Sequence, residues 1–450
     1  MSENHLLELA AATVKQALER GAADAECTIA EGSEFSVNVR MREVESLKQA
    51  GSRGAGLRIL IGKHTGSAHT SDLSPDGIRQ MVGAAIELAA ITGDDPHAGL
   101  PDDAEFGAIP SDLQLFCTDV ESLETPFKIE QARAAEAAAL AVDPRISNSE
   151  GGSFASHLGR RVFANSREFA GEYRTSYCSL SATPVARDGD SMERDYWMSL
   201  ARGFAGLEPA GQIGRIAAER TLRRLGARKV ETQRVPVIFE SRTARTLLGN
   251  IFEAVDGDSI YRDASFLAGK LHRQVASRSL TVIDDGTIPG LFGTSPFDDE
   301  GVPTRRTLVI ERGVLKSYLL NTYTARKLGM KTTGNASRGL SGNAGIGHGN
   351  LFIEPGERTP AEIIASIPNG LYVTELIGSG VNIVTGDYSR GAAGLWIQNG
   401  ELAFPVAEVT IAGNLNNMLM GMETIGSDLE FRGSTAAPTL LIPEMTVGGR

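Results

Sequence analysis

Residues 281–307 read TVIDDGTIPGLFGTSPFDDEGVPTRRT, and this run constrains the fold more than any other part of the chain. It holds two acidic turns, Asp284-Asp285-Gly286 and Asp298-Asp299-Glu300-Gly301, a Gly-rich link, and a hairpin signal in Asp-Asp-Glu-Gly-Val-Pro. Pro and Gly at this density interrupt a helix, while Asp beside Gly satisfies backbone donors in tight turns. The last part of the chain is therefore expected to be turn-linked strands. From Arg234 onward Gly-separated strands dominate, interrupted by helical stretches at residues 241–255 and 360–366. Thr359 and Glu362 supply a capping box for the second.

Upstream the pattern changes. Leu6, Leu9, Val14 and Leu18 recur at helical spacing over residues 5–20, with Gly21 as the stop. Short strands are expected at 25–30, 33–40, 43–49 and 56–61, with Phe35, Val37 and Val39 on one face of the second. Gly51, Gly54 and Gly56 read as punctuation, Gly62 as a hairpin turn, and residues 70–74 as the cap of a helix over 75–92. Residues 93–112 lack periodicity and read as a linker. An Ala-rich helix over 127–142, short strands within 146–200 (among them 161–164, 173–180 and 196–201) and a helix over 209–225 follow. The expected division is an N-terminal helix–meander–helix domain (1–92), a linker (93–112), a middle α+β region packed with it (113–230) and a β-rich domain (231–450). The fold class is α+β: an N-terminal α/β region with an antiparallel meander, then a C-terminal domain of mostly antiparallel twisted sheet.

Composition excludes several functions. The chain has 450 residues and a net charge of −12 with no Lys/Arg block. Its densest basic patch, residues 220–229, continues a helical pattern and is expected to be a solvated helix end. Nucleic acid is therefore not an expected partner. No run of eighteen apolar residues suggests a membrane helix, and the N-terminus lacks signal-peptide character. Cys27, Cys117 and Cys178 are isolated, as expected of buried thiols in a reducing compartment, so the expected location is cytoplasmic. Gly62-Lys63-His64 fails as a phosphate loop because its spacing is wrong and His replaces Ser or Thr. No Gly-x-Ser-x-Gly is complete, and His64 and His69 read as turn residues rather than zinc ligands. The Asp284-Asp285 and Asp298-Asp299-Glu300 clusters have the right chemistry for a cation or a general base, yet each precedes Gly. They are expected to be structural turns, with Arg305-Arg306 neutralising the second.

An ordered set of short motifs adds a family. It runs through Gly56-Leu57-Arg58, Asp284-Asp285-Gly286, Asp298–Pro303, Gly313-Val314-Leu315, Gly334-Asn335, Gly394-Leu395-Trp396-Ile397 and Thr410–Asn414. With these the chain resembles the TldD/PmbA family of cytoplasmic metallopeptidases and their paired, metal-free relatives, called PmbA or TldE. The resemblance implies a His-Glu-x-x-x-His helix and a C-terminal Cys loop in catalytic members, where zinc is held and Glu activates water. Here the matching residues are Gly249, Asn250 and Ala254, and no Cys follows Leu429. The resemblance thus points to the PmbA/TldE branch, with no catalytic residue and no cofactor in this chain, and zinc expected only in a partner subunit. The small residues at Gly249 and Ala254 also permit close helix packing, and Glu253 is expected to be solvated. Implied partners are a TldD-like zinc-bearing homologue in a heterodimer, or a second copy in a homodimer, together with unfolded peptides. A gyrase-modulating effect would be indirect, through peptides that target gyrase. The Gly-rich segments 337–350 and 376–387 allow close backbone approach, with Gly342, His348, Gly378 and Gly380 as candidate peptide contacts. Alone the chain is expected to be inactive; the alternatives are a stand-alone homodimeric peptide-binding protein or a peptidase with an unrecognised site.

Overall fold

The computed structural model describes residues 5–449. Its first half is a single seven-stranded sheet: β1 (Asp24–Arg40), β2 (Glu43–Ile61), β3 (His64–Thr70), β4 (Ile146–Asn165), β5 (Ala170–Asp188), β6 (Ser191–Arg194) and β7 (Trp197–Ala201). The order is β3-β2-β1-β4-β5-β6, with β7 also beside β5, and every pairing is antiparallel. Because β1 pairs with β4, the chain on either side of residues 93–112 builds one sheet.

The many short strands expected here are instead four long ones. Segments 25–30 and 33–40 fuse into β1, 43–49 and 56–61 into β2, and the pieces of 146–188 into β4 and β5. Gly54 and Gly56, which read as punctuation, are places of close approach, whereas a Cβ on Gly51 would meet nothing nearer than 3.9 Å. A Cβ on Gly56 would overlap the carbonyl of Leu340, and one on Gly152 the carbonyl of Ala132. Glycine in a strand often marks another backbone close by, and here it does.

Four helices, His5–Glu19, Pro75–Ile91, Thr125–Leu140 and Ala210–Leu222, pack against this sheet. Ser74 caps the second by accepting from the Gly77 amide at 3.2 Å. Ala25, Cys27 and Ile29 of β1 join the core of the first two helices, while Phe35, Val37 and Val39 join that of the other two. Glu26 and Thr28, on the opposite face, are also buried, so burial does not alternate over residues 25–29 as it does over 35–40. The second half of the chain covers this end of the sheet. Burial pushes the thiols of Cys27 and Cys178 up to about 12, as fits inert core cysteines; Cys117 is half-buried.

That second half contains β8 (Gln233–Phe239), β9 (Val282–Asp285), β10 (Arg306–Glu311), β11 (Val314–Leu315), β12 (Ala336–Ser337), β13 (Gly345–Ile346) and β14 (Asn350–Ile353). It continues with β15 (Asn369–Ile377), β16 (Asp387–Gln398), β17 (Glu401–Asn414), β18 (Thr424–Ile425), β19 (Thr435–Ala436) and β20 (Leu440–Gly448). One sheet has the order β17-β16-β15-β8-β20-β18, and a further β17–β20 pairing closes its five long strands into a ring. Another has the order β11-β10-β9-β14-β19, and β12 pairs with β13. Only β8–β15 and β14–β19 among these named pairs are parallel, so the region is β-rich and mostly antiparallel. The helix Ser241–Val255 follows β8, and Thr359 with Glu362 forms the expected capping box on Pro360–Ala365.

The two halves meet on buried charge. Glu26 of β1 is fully buried between Arg58 of β2, at 2.9 Å, and Arg338, its second ion-pair partner. Burial alone would raise the Glu26 carboxyl, but Arg338 and Arg58 outweigh it and hold it below its ordinary value. Beside them Arg161 of β4 pairs with Asp299 at 2.7 Å, and Arg58 donates to the Asn343 side chain. The segment between β12 and β13 lies across the sheet, with Leu340 filling the space left by Gly54 and Gly56. The expected linker is tied down as well. Leu100 is buried, and Arg326 donates to its carbonyl at 2.7 Å and to Asp102 at 2.8 Å.

Glu26→Gln leaves two buried guanidinium groups without their carboxylate and is expected to cost about 3–5 kcal/mol in urea unfolding at pH 7. Folding lowers the Glu26 pKa, so its contribution is present above the ordinary 4.5 and fades as pH falls through the folded value. The parent–variant gap is therefore expected to narrow only below about pH 4.5; a gap unchanged down to acid unfolding would contradict this role. Gly56→Ala is expected to lift the Leu340 segment, costing about 1–3 kcal/mol and speeding tryptic cleavage at Arg338. Parent-like cleavage would show that the segment adjusts without detaching.

Candidate functional site

The helix Ser241–Val255 begins directly after β8, and its position is fixed by a buried face of Thr243, Ala244, Leu247, Leu248, Ile251, Ala254 and Val255. Glu240, just before it, holds Arg220 at 2.9 Å and Arg223 at 3.5 Å. This corrects the reading of residues 220–229 as a solvated helix end. Arg220 is only 6% exposed and also pairs with Asp195 at 3.3 Å, while Arg224 bridges Glu193 and Glu375. The patch looks basic in sequence because its carboxylates lie elsewhere in the chain.

The outward stripe of the helix carries Arg242, Arg245, Thr246, Gly249, Asn250 and Glu253, and Glu253 is exposed as expected. Ala254 is fully buried, in keeping with close packing. Gly249 is different: a Cβ there would meet nothing within 4 Å, so close packing does not explain it. The Asn250 side-chain oxygen is buried without a hydrogen-bond partner among the described residues. These three positions offer no side chain, a neutral amide and a methyl group, which do not fit zinc's need for imidazole, thiolate or carboxylate ligands. Among the described residues, no three His, Cys, Asp or Glu side chains converge as metal ligands would.

Phe252 of the same helix meets the His348 ring edge-on, with centroids 4.9 Å apart. His348 borders a polar cavity of about 170 Å³ that Asp284, Asn335, Asp298, Asp299 and Arg305 also line. His348 Nδ1 lies 2.8 Å from the Gly349 carbonyl, a contact that places the proton on Nδ1. Asp284 was expected in a turn but sits on β9, 2% exposed, accepting from Asn335 at 2.7 Å; its other oxygen makes no well-formed hydrogen bond among the described residues, although the Gly349 amide is near enough to pull on the carboxyl. Burial pushes its carboxyl up, against the pull of Asn335 and His348. Asp285 does organise the turn, accepting from the Thr287 amide at 2.9 Å.

The second cluster holds the chain together. Asp298 accepts from the amides of Glu300, Val302 and Ala336, and Glu300 from that of Thr322. Burial, with Glu300 nearby, pushes Asp298 well up; burial, with Glu26 nearby, pushes Glu300 up. The partner of Asp299 is Arg161, not the expected Arg305-Arg306 pair; Arg306 instead lies 4.0 Å from Asp285.

The other candidate contacts lie away from this cavity. Gly342 is exposed in the segment between β12 and β13, and Gly378 is exposed after β15. A Cβ at Gly380 would overlap the carbonyl of Ser389, so its small size serves packing within the chain. Absent from the sequence reading was a cleft of about 930 Å³ beside the outward stripe, lined by Arg242, Arg245, Thr246, Tyr196, Met192 and Ile377 among others. Arg242 and Arg245 at i,i+3 on a polar helix face were its only local signal, and the cleft's other wall comes from distant strands.

Comparison with known proteins agrees with this architecture. Residues 232–449 match the PmbA/TldA metallopeptidase C-terminal domain, 118–225 the central domain and 25–89 domain 1. Metalloprotease PmbA of Escherichia coli O157:H7 is 38% identical, over 100% of this chain and 97% of its own length. The Haemophilus influenzae PmbA homologue is 35% identical, over 99% of this chain and 97% of its own. A crystal structure of a Bacteroides thetaiotaomicron protein described as a modulator of DNA gyrase matches with a TM-score of 0.92 at 29% identity, covering all of both chains. TldE from Thermococcus kodakarensis shares the fold, with a TM-score of 0.87 at 21% identity over 97% of this chain and 99% of its own. The chain belongs to the PmbA/TldD family, on its PmbA/TldE side.

Proposed function

We propose that this chain is the non-catalytic, PmbA/TldE-type subunit of a two-subunit zinc metallopeptidase. In this role it forms part of the chamber and positions unfolded peptides for a zinc-bearing TldD-like partner, in proteolysis or peptide maturation. One observation carries the reading: the helix Ser241–Val255 is intact and well packed, yet Gly249, Asn250 and Ala254 offer no zinc ligand and no general base. Peptide hydrolysis of this class needs a metal-polarised water and a group to take its proton. A chain without either can still contribute shape and backbone hydrogen bonds. Strand β2 supports that role, because β3 pairs with Ala55–Ile61 and, among the described residues, no strand pairs with the preceding edge. Such an edge accepts an extended segment through its main chain, with little regard for sequence.

The purified chain alone is expected to contain no stoichiometric zinc and to leave unfolded peptides uncut. Mixed with a TldD-like homologue carrying His-Glu-x-x-x-His, it is expected to copurify and to support cleavage that a chelator abolishes. Elemental analysis and peptide mass spectrometry read both outcomes. Zinc bound by the chain alone, with chelator-sensitive cleavage, would overturn the proposal. A stable homodimer that binds peptides but never copurifies with the homologue would replace it with a stand-alone peptide-binding role.

A further inference from the structure

The cleft beside the helix Ser241–Val255 is lined by five arginines, and three of them are matched by carboxylates. Arg194 pairs with Glu150 at 2.9 Å, Arg40 with Glu45 at 3.3 Å, and Arg224 with Glu193 at 3.2 Å and Glu375 at 2.5 Å. Among the described residues neither Arg242 nor Arg245 makes an ion pair, although Glu240, which holds Arg220 and Arg223, feels the Arg242 charge. Arg242 stacks over the Tyr196 ring at 4.4 Å, and its Nη1 donates to the Tyr196 carbonyl at 3.4 Å. Arg245 donates through Nε to the Arg242 carbonyl at 3.4 Å. Stacking on an aromatic face holds a guanidinium while leaving in-plane donors for a ligand.

These two arginines, without an ion pair among the described residues, sit in an acidic protein and share a wall of the cleft, half-buried. Burial, with Arg242 nearby, pushes the Arg245 pKa down, a strain that an incoming anion would relieve. Around them Met192, Tyr196 and Ile377 are 67%, 45% and 58% exposed, an apolar rim on a cleft of about 930 Å³. Planar guanidinium donors beside apolar surface suit a carboxylate attached to a peptide.

We infer that this cleft is a carboxylate-recognition site, in which Arg242 and Arg245 bind an acidic side chain or the C-terminal carboxylate of an unfolded peptide. The inference rests on the peptide-handling reading above and adds the substrate class. It makes the chain selective for charge where a strand edge alone would be indifferent.

Fluorescence anisotropy on the full chain tests it, using a labelled Ser/Leu peptide with internal glutamates or glutamines, each with a free or amidated C-terminus. The parent is expected to bind the carboxylate-bearing forms more tightly, and the four forms together show which carboxylate matters. Arg242→Gln with Arg245→Gln is expected to weaken that binding about tenfold or more and to leave the amidated glutamine form unchanged. Arg→Lys at both positions is expected to restore part of the loss. Neither arginine makes an ion pair among the described residues, so thermal unfolding of the Gln variant is expected to match the parent and exclude misfolding. Equal binding of all four forms, or a Gln variant that binds like the parent, overturns the inference while sparing the peptide-handling role. A Gln variant altered only in self-association, by sedimentation, overturns it in favour of an interface between copies. Failure of every form to bind removes both readings.

Discussion

Glu26 is a carboxylate with no exposed surface, held by Arg58 from its own sheet and by Arg338 from the other half of the chain. A buried charge is tolerated only when paired and hydrogen-bonded. This triad therefore fixes how the C-terminal half sits on the first sheet. Its consequences extend outward: Arg338 brings the Leu340 segment across Gly54 and Gly56, and Asp299 follows onto Arg161. Phe163, Phe169, Tyr173 and Phe297 then pack across the same junction.

The acidic run that dominates residues 281–307 belongs to this framework. Asp298 gathers three backbone amides, Glu300 holds the start of a short helix, and Asp299 bridges to the first sheet. Asp284 stands apart beside His348 in a cavity of about 170 Å³, with one oxygen that makes no well-formed hydrogen bond among the described residues. Carboxylates that look catalytic by composition are here mostly fastenings, and desolvation rather than chemistry raises the pKa of Asp298 and Glu300.

The helix Ser241–Val255 shows the converse. Its buried face is complete, so the fold does not depend on what stands at Gly249 and Asn250. A side chain at Gly249 would point into open space, whereas Ala254 is fully buried and packed in the core. The proposed role of the chain draws on that separation: the buried face holds the helix in place, while the outward stripe carries Gly249, Asn250 and the arginines at 242 and 245.

The sequence by itself determined the fold class, the five long helices, the caps at Ser74 and Thr359, the burial of Phe35, Val37 and Val39, and the family. All of these depend on local periodicity or on ordered short motifs, which survive in one dimension. It also showed that Gly249, Asn250 and Ala254 are not His, Glu or Cys, since residue identity is visible without coordinates. Only the tertiary structure decided that Gly54 and Gly56 of β2 admit the Leu340 segment rather than end a strand. The same holds for Arg220 being buried, for Asp299 pairing with Arg161 instead of Arg305, and for Arg242 and Arg245 facing a cleft without an ion pair among the described residues. Each of these depends on a partner far away in sequence, and the chain's own order carries no record of which distant charge or backbone will arrive.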